Sequence, residues 1–99
     1  MLIRIVKMTF KPGEVDAFLD IFEATKAKIR DFEGCEHLEL LEDINDRNSF
    51  STYSHWQNET VLNAYRNSHL FDGVWARTKV LFAEKPIAFS LKKHTEVLV

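Results

Sequence analysis

Hydrophobic residues along this chain follow two different spacings, separated by polar, glycine and proline positions. Segments rich in β-forming residues, with apolar side chains at alternate positions, predict strands at residues 2–10, 35–42, 49–56 and 87–94. Apolar residues three and four apart predict helices at residues 14–32, 58–67 and 69 to about 83.

Residues typical of turns and helix ends stand where these segments meet. Lys11-Pro12-Gly13 breaks the chain before the first helix, and Gly34 follows that helix where a left-handed cap is expected. Asn58 and the pair Asn67-Ser68 precede the other two helical segments, where their side chains can accept hydrogen bonds from free backbone amides. The predicted boundaries therefore have a local chemical basis.

The order strand–helix–strand, strand–helix–strand predicts a ferredoxin-like α+β fold, βαββαβ, in one domain over residues 1–99. A short polar connection between the second and third strands indicates an antiparallel hairpin. Helical crossovers are almost always right-handed. We therefore expect a four-stranded antiparallel sheet with the helices on one face.

The other face of this sheet is also apolar. Ile3 and Ile5 point to one side of the first strand, while Leu2, Val6, Met8 and Phe10 point to the other. The last strand carries Ile87, Phe89 and Leu91 on one side. Because large exposed apolar patches are uncommon on monomers, we predict a homodimer with two sheets packed face to face. The tail Val97-Leu98-Val99 either lies across the partner or is a frayed terminus.

Composition narrows the class of protein. With 99 residues, 45% hydrophobic and 28% charged, the chain is typical of a small globular domain. It has neither a membrane-spanning apolar run nor the pattern of a signal peptide, so we expect a cytoplasmic location. A net charge of −2 without a basic stripe disfavours nucleic-acid binding. The single Cys35 excludes an internal disulfide, and we interpret it as a buried strand residue rather than a reactive thiol.

The run from Trp56 to Phe71, WQNETVLNAYRNSHLF, resembles the signature of the antibiotic biosynthesis monooxygenase (ABM) domain family. In that pattern a tryptophan ends the third strand, a short capped helix follows, and a serine and a phenylalanine open the next helix. The resemblance implies a dimeric α/β-barrel with a pocket between helices and sheet. It also implies oxygenation of small electron-rich aromatic or quinol compounds by O2 without a metal or flavin, whereas other members degrade haem.

The haem-degrading branch can be compared position by position. Its pattern has an asparagine on the first strand, a tryptophan in the second helical region and a haem-ligating histidine ten residues later. These positions correspond here to Val6, Tyr65 and Trp75. None of them matches, so the resemblance does not favour haem degradation. Many family members also carry histidine in place of Tyr65.

Several side chains are candidates for chemistry in such a pocket. We predict Tyr65 and His55 as catalytic groups, and we predict substrate contacts from Arg4, Tyr53, His69 and Trp75. A phenol and an imidazole can exchange protons with a substrate, and a tryptophan can stack on a flat ring. Each also has an ordinary structural interpretation, as a core aromatic or a surface histidine. We predict no metal, because the alternation of His37 and Glu39 supplies only two ligands. We also predict no cofactor, because the chain has no phosphate-binding glycine loop and the resemblance implies a reaction without flavin.

Two functions from different classes therefore stay open, beside a third hypothesis of haem binding without the usual ligand, which would need His55 or His69 to face the pocket. The first is a cofactor-independent monooxygenase for a small aromatic or quinol. The second is a non-catalytic dimer of the same fold that binds a small ligand or serves in a stress response. Fold alone does not choose between them.

Overall fold

A computed structural model describes residues 1–99 and contains four strands and three helices. The strands are β1 (Leu2–Thr9), β2 (Cys35–Glu42), β3 (Ser49–Trp56) and β4 (Ile87–Leu91). The helices are α1 (Val15–Arg30), α2 (Glu59–Arg66) and α3 (His69–Lys79). The strands form one antiparallel sheet in the order β2-β3-β1-β4, with its two edges open. The predicted ferredoxin-like α+β fold is confirmed.

The ends of α3 and β4 differ from the predicted ones by three or more residues, whereas the other boundaries agree within two residues. Helix α3 ends at Lys79 because Leu81 and Phe82, which fit its apolar spacing, turn away to meet the end of β1. Phe10 pairs with Phe82 there, and the Lys11 amide donates to the Leu81 carbonyl at 2.9 Å. Strand β4 ends at Leu91, which pairs with Ile3 of β1, so it is shorter than the predicted strand over residues 87–94.

Asn58 and Ser68 cap α2 and α3 as predicted, whereas Gly34 is not the cap of α1, which ends at Arg30 with Asp31 as its C-cap. Asn58 Oδ1 accepts from the Val61 amide at 3.0 Å at the start of α2. Gly34 adopts a φ of +90°, and a Cβ placed there would lie 2.5 Å from the Cβ of Val61. Gly34 therefore permits both the positive φ and the close approach of α2.

The core lies between the helices and the inner face of the sheet, in two clusters. One contains Met8, Phe10, Phe18 and Phe50, and the other contains Cys35, Trp56 and Leu62. Burial raises the pKa of the Cys35 thiol, which agrees with its interpretation as a packed strand residue.

The outer face of the sheet is uncovered in the single chain. Ile3 and Ile5 point to this side together with the exposed side chains of Ile87, Phe89 and Leu91 on β4. Residues 92–99 are exposed and belong to no helix or strand. None of the three helices has the length and apolar character required to cross a bilayer.

Candidate active site

A cavity of about 310 Å³ lies between the three helices and the inner face of the sheet. Its walls include Met8 and Phe18 from one core cluster and Trp56 and Leu62 from the other, so it separates the two clusters. Hydrophobic side chains supply 13 of its 19 lining residues. This size and composition suit one small, mostly apolar ligand.

One wall of the cavity is a continuous run of aromatic rings. Tyr65 stacks on Trp56 with ring centroids 4.9 Å apart and meets Phe71 edge-on at 5.3 Å. Phe71 in turn stacks on Trp75 at 5.6 Å with an angle of only 14° between the rings. Aromatic pairs at these distances favour offset or edge-to-face packing. The wall therefore presents flat faces and ring edges to a planar ligand.

Ser68 fixes the turn that holds this wall. Its hydroxyl donates to the Tyr65 carbonyl at 2.6 Å and accepts from the Phe71 amide at 3.1 Å. One side chain thus closes the end of α2 and caps the start of α3. The relative positions of Tyr65 and Phe71 depend on that serine.

Tyr65 is the ionisable group deepest in the aromatic wall. Burial raises the pKa of Tyr65 to about 12, with a smaller contribution from Cys35. Its hydroxyl takes part in none of the side-chain hydrogen bonds of the structure. It is also not among the buried polar atoms that lack a partner, so it is open to the cavity that the side chain lines. At neutral pH it is therefore a neutral phenol with a free O–H donor, and it cannot act as a base.

Polar atoms of the sheet form the floor opposite this wall. The indole Nε1 of Trp56 donates to Ser54 Oγ at 2.9 Å, and Thr52 lines the cavity beside them. Arg4, from β1, lies on the same face and donates to Ser90 Oγ of β4 at 3.1 Å. The floor therefore combines hydroxyl groups with one guanidinium.

The structure brings three of the six predicted site residues into this cavity: Arg4, Tyr65 and Trp75. It does not bring in the other three. His55 pairs with Ile3 and Tyr53 pairs with Ile5, so both point to the opposite face of the sheet. His69 is exposed at the start of α3 and does not line the cavity.

His55 and Tyr53 belong to a different cluster, on the outer face. The His55 ring lies 4.9 Å from that of His37 and 5.0 Å from that of Tyr53. His37 Nε2 is 3.5 Å from Glu39 Oε1. No group of three or more histidine, cysteine, aspartate or glutamate side chains is arranged to hold a metal ion.

Most of the chain matches one known protein family. Residues 1–74, three quarters of the chain, match the model of the family described as antibiotic biosynthesis monooxygenase. The chain belongs to the antibiotic biosynthesis monooxygenase family. No curated protein matches it significantly.

Solved structures share the ABM fold with this chain. One, described as an antibiotic biosynthesis monooxygenase, is 18% identical with a TM-score of 0.90, covering 96% of this chain and 100% of its own. A conserved protein from Methanosarcina mazei Go1 is 18% identical with a TM-score of 0.87, and the match covers 94% of this chain and 93% of that protein. A protein from Pseudomonas aeruginosa is 22% identical with a TM-score of 0.84, covering 95% and 94%. At these identities the likeness is one of fold.

The cavity of this ABM protein does not fit a histidine-ligated haem. Val6, Tyr65 and Trp75, which correspond to the haem-degrading pattern, all line the cavity. None of the four histidines of the chain does. The lining therefore offers no imidazole as an axial ligand.

Sequence reasoning missed several lining residues of this ABM cavity. Phe71, Thr52, Ser54 and Arg66 all contribute to its walls. A signal was present for the strand residues, because Phe50, Thr52, Ser54 and Trp56 share one parity, and large aromatics at both ends mark that side as buried. Arg66 had no such signal, since a basic residue in the last turn also suits the helix dipole.

Proposed function

We propose that this ABM protein binds a small electron-rich aromatic or quinol in the cavity and oxygenates it with O2 without a bound cofactor. The observation that carries the proposal is the aromatic wall with the free hydroxyl of Tyr65 among its rings. A planar ligand stacked there would have its ring oxygen within reach of a neutral hydrogen-bond donor. The apolar surroundings strengthen that bond, since water is largely excluded.

The chemistry needs no external reductant, because the substrate supplies the electrons. Ionisation of the substrate releases one proton and leaves negative charge on the ring, so that the reacting ring carbon keeps one of its two hydrogens. That carbon forms a bond to O2, and a proton from solvent completes the hydroperoxide. Loss of one water molecule then leaves a carbonyl, so that CH2 and O2 become C=O and H2O. Tyr65 would donate a hydrogen bond to the ring oxyanion and stabilise it. The proton released on ionisation goes to solvent, because the lining contains no carboxylate or imidazole.

Oxygen uptake tests the proposal directly. Purified, metal-stripped protein is mixed with a panel of anthrones and naphthoquinols, and uptake is compared with spontaneous oxidation. We expect saturable uptake that falls about tenfold or more in Tyr65→Phe, because one donor to an oxyanion is removed. Tyr53→Phe makes the same chemical change on the other face of the sheet and should have no effect. Equal uptake by the wild type and Tyr65→Phe would contradict the assignment of Tyr65.

A second function is favoured by one specific observation. The ionisable side chains of the lining are Arg4, Arg66 and Tyr65, and Tyr65 stays protonated at neutral pH. A cavity without a base also suits a protein that only binds its ligand. Saturable binding of the aromatic panel with no uptake above the spontaneous rate would favour this alternative.

The proposed assembly is a homodimer through the outer face of the sheet. Support comes from the apolar side chains that this face leaves uncovered, among them Ile5, Phe89 and Leu91. A second sheet packed against them would remove this surface from water. Light scattering should give about twice the monomer mass of 11.6 kDa, and a mass equal to the monomer would contradict the proposal.

A further inference from the structure

Two arginines stand in the wall of the cavity without an acidic partner. Arg4, from β1, and Arg66, an exposed residue in the last turn of α2, both line it. The same lining contains no aspartate or glutamate. Neither arginine takes part in any of the three ion pairs of the structure. The cavity therefore carries two positive charges and no compensating negative charge.

Arg4 has no charged partner in the protein, and its cross-strand neighbours on the inner face are the hydroxyl side chains of Ser54 and Ser90. Its neighbours on the inner face of β1 are Leu2 and Val6, and its side chain is half-buried. Its guanidinium makes one hydrogen bond, to Ser90 Oγ, although the group has five N–H donors. Burial and the nearby charge of Arg66 both lower the pKa of Arg4 from its usual value. The guanidinium therefore keeps N–H donors free for an anion in the cavity.

We propose that Arg4 and Arg66 form an anion subsite, and that the ligand of the cavity is a small planar aromatic compound carrying a carboxylate or an ionised hydroxyl. A guanidinium fork matches the two oxygens of a carboxylate and also donates to a single phenolate oxygen. The aromatic wall takes the ring, and the arginines take the charged oxygen. The inference rests on the proposed function in that it takes the same cavity as the ligand site.

This subsite also answers a chemical need of the proposed reaction. Oxygenation requires an ionised substrate, yet the cavity has no base to remove the proton. Two nearby positive charges lower the pKa of a bound phenol or quinol, because they favour its charged form. The arginines thus select ligands that ionise readily and hold them as anions.

Isothermal calorimetry with matched probes tests the subsite at about pH 8, where carboxylic acids are ionised. The carboxylate arm compares naphthoate with its neutral amide, naphthamide. The phenolate arm compares nitronaphthol, which is ionised at this pH, with its neutral methyl ether. We expect the anion of at least one pair to bind about tenfold or more tightly than its neutral analogue, as for a charge-assisted hydrogen bond. The arm with the larger ratio identifies which oxyanion the site prefers.

Three variants then assign the preference to these arginines. Arg4→Gln and Arg66→Gln should each reduce the anion-to-neutral ratio about tenfold while leaving neutral probes bound within about twofold. Arg47→Gln removes the same charge from an exposed turn outside the cavity and should leave every ratio unchanged. Unchanged affinity for the neutral probes also shows that the variants fold.

The outcomes separate this proposal from the proposed function. If the anions bind no more tightly than their neutral analogues, or if their preference is unchanged in both arginine variants, the anion subsite is overturned while the cavity stays a binding site. Arginine-dependent binding of the anions without accelerated oxygen uptake supports the subsite and overturns the oxygenase. Failure of all four probes to bind overturns both.

Discussion

Raising the pH above about 10 should destabilise this protein through one buried tyrosine. The pKa of Tyr65 rises from the model-compound value of 10.0 to about 12 in the folded chain, chiefly because the ring is buried. In the unfolded chain the same phenol is solvated and titrates near 10. Below that pH both states are protonated and Tyr65 contributes no pH dependence. As pH rises from 10 to 12 the unfolded chain loses this proton first, so unfolding becomes more favourable.

The size of the effect follows from the difference between the two pKa values. Each pKa unit is worth about 1.4 kcal/mol, so about 3 kcal/mol of the free energy of unfolding should be lost across this window. Tyr65→Phe cannot ionise and should not show this loss. Near pH 8 the same variant should differ from the wild type by less than about 1 kcal/mol, because the hydroxyl has no hydrogen-bond partner to lose.

Two measurements check this reasoning. Urea unfolding at about pH 8 and about pH 11 should show a steeper alkaline loss of stability in the wild type than in Tyr65→Phe. Absorbance of the folded protein at the phenolate band, wild type minus variant, should rise only near the upper end of the window. A difference titration with its midpoint near 10 would refute the burial of the phenol. It would also restore Tyr65 as a possible proton acceptor.

Three further changes test packing and assembly. Gly34→Ala should lower the free energy of unfolding by about 3 kcal/mol or more, because the new Cβ clashes with Val61 and alanine is strained at a positive φ. Gly13→Ala is the control: it has the same strain at φ +87° but open space around it, and it should cost about 1 kcal/mol when both are measured by urea unfolding. Ser54→Ala removes the acceptor of the buried indole N–H of Trp56 and should cost about 1–3 kcal/mol; a calorimetric melt unchanged from the wild type would contradict that hydrogen bond. Ile5→Asp would bury an unpaired charge in the proposed interface, so light scattering should report monomers or unfolded chain, and an intact folded dimer would count against that interface.

The fold was predictable from the sequence because its signals are local. Alternation along β1 correctly sorts Val6 and Met8 from Ile3 and Ile5, since a strand has a strict period of two. The cap at Asn58 needs only residues of the same turn. The end of α3 was not predictable in this way, because Phe82 fits the helical spacing and is recruited instead by Phe10, far away in the chain.

The candidate site was predictable only in part, for a related reason. The sequence indicates that His55 and Tyr53 share one side of β3, and the large aromatic residues Phe50 and Trp56 mark the opposite side as buried. Our prediction of His55 and Tyr53 as site residues did not use that signal, and pairing with β1 settles the orientation. That register places Ser54 beside Arg4 and directs His55 and Tyr53 outward. A helical stripe is easier to interpret, and Tyr65 and Trp75 lie in the cavity because α2 and α3 pack their apolar sides inward.

Alternate residues of strand β4 point to the two faces of the sheet. The strand therefore contributes to both the proposed anion subsite and the proposed dimer interface. Ser90 faces inward and accepts from Arg4, while Phe89 and Leu91 on either side of it face outward and are exposed. β4 is an edge strand paired only with β1, so the single chain holds it on one side alone. A second copy against the outer face would bury Phe89 and Leu91 and favour the paired position of the strand. Because that position also presents Ser90 to Arg4, dimer formation and binding at the arginine pair should stabilise each other.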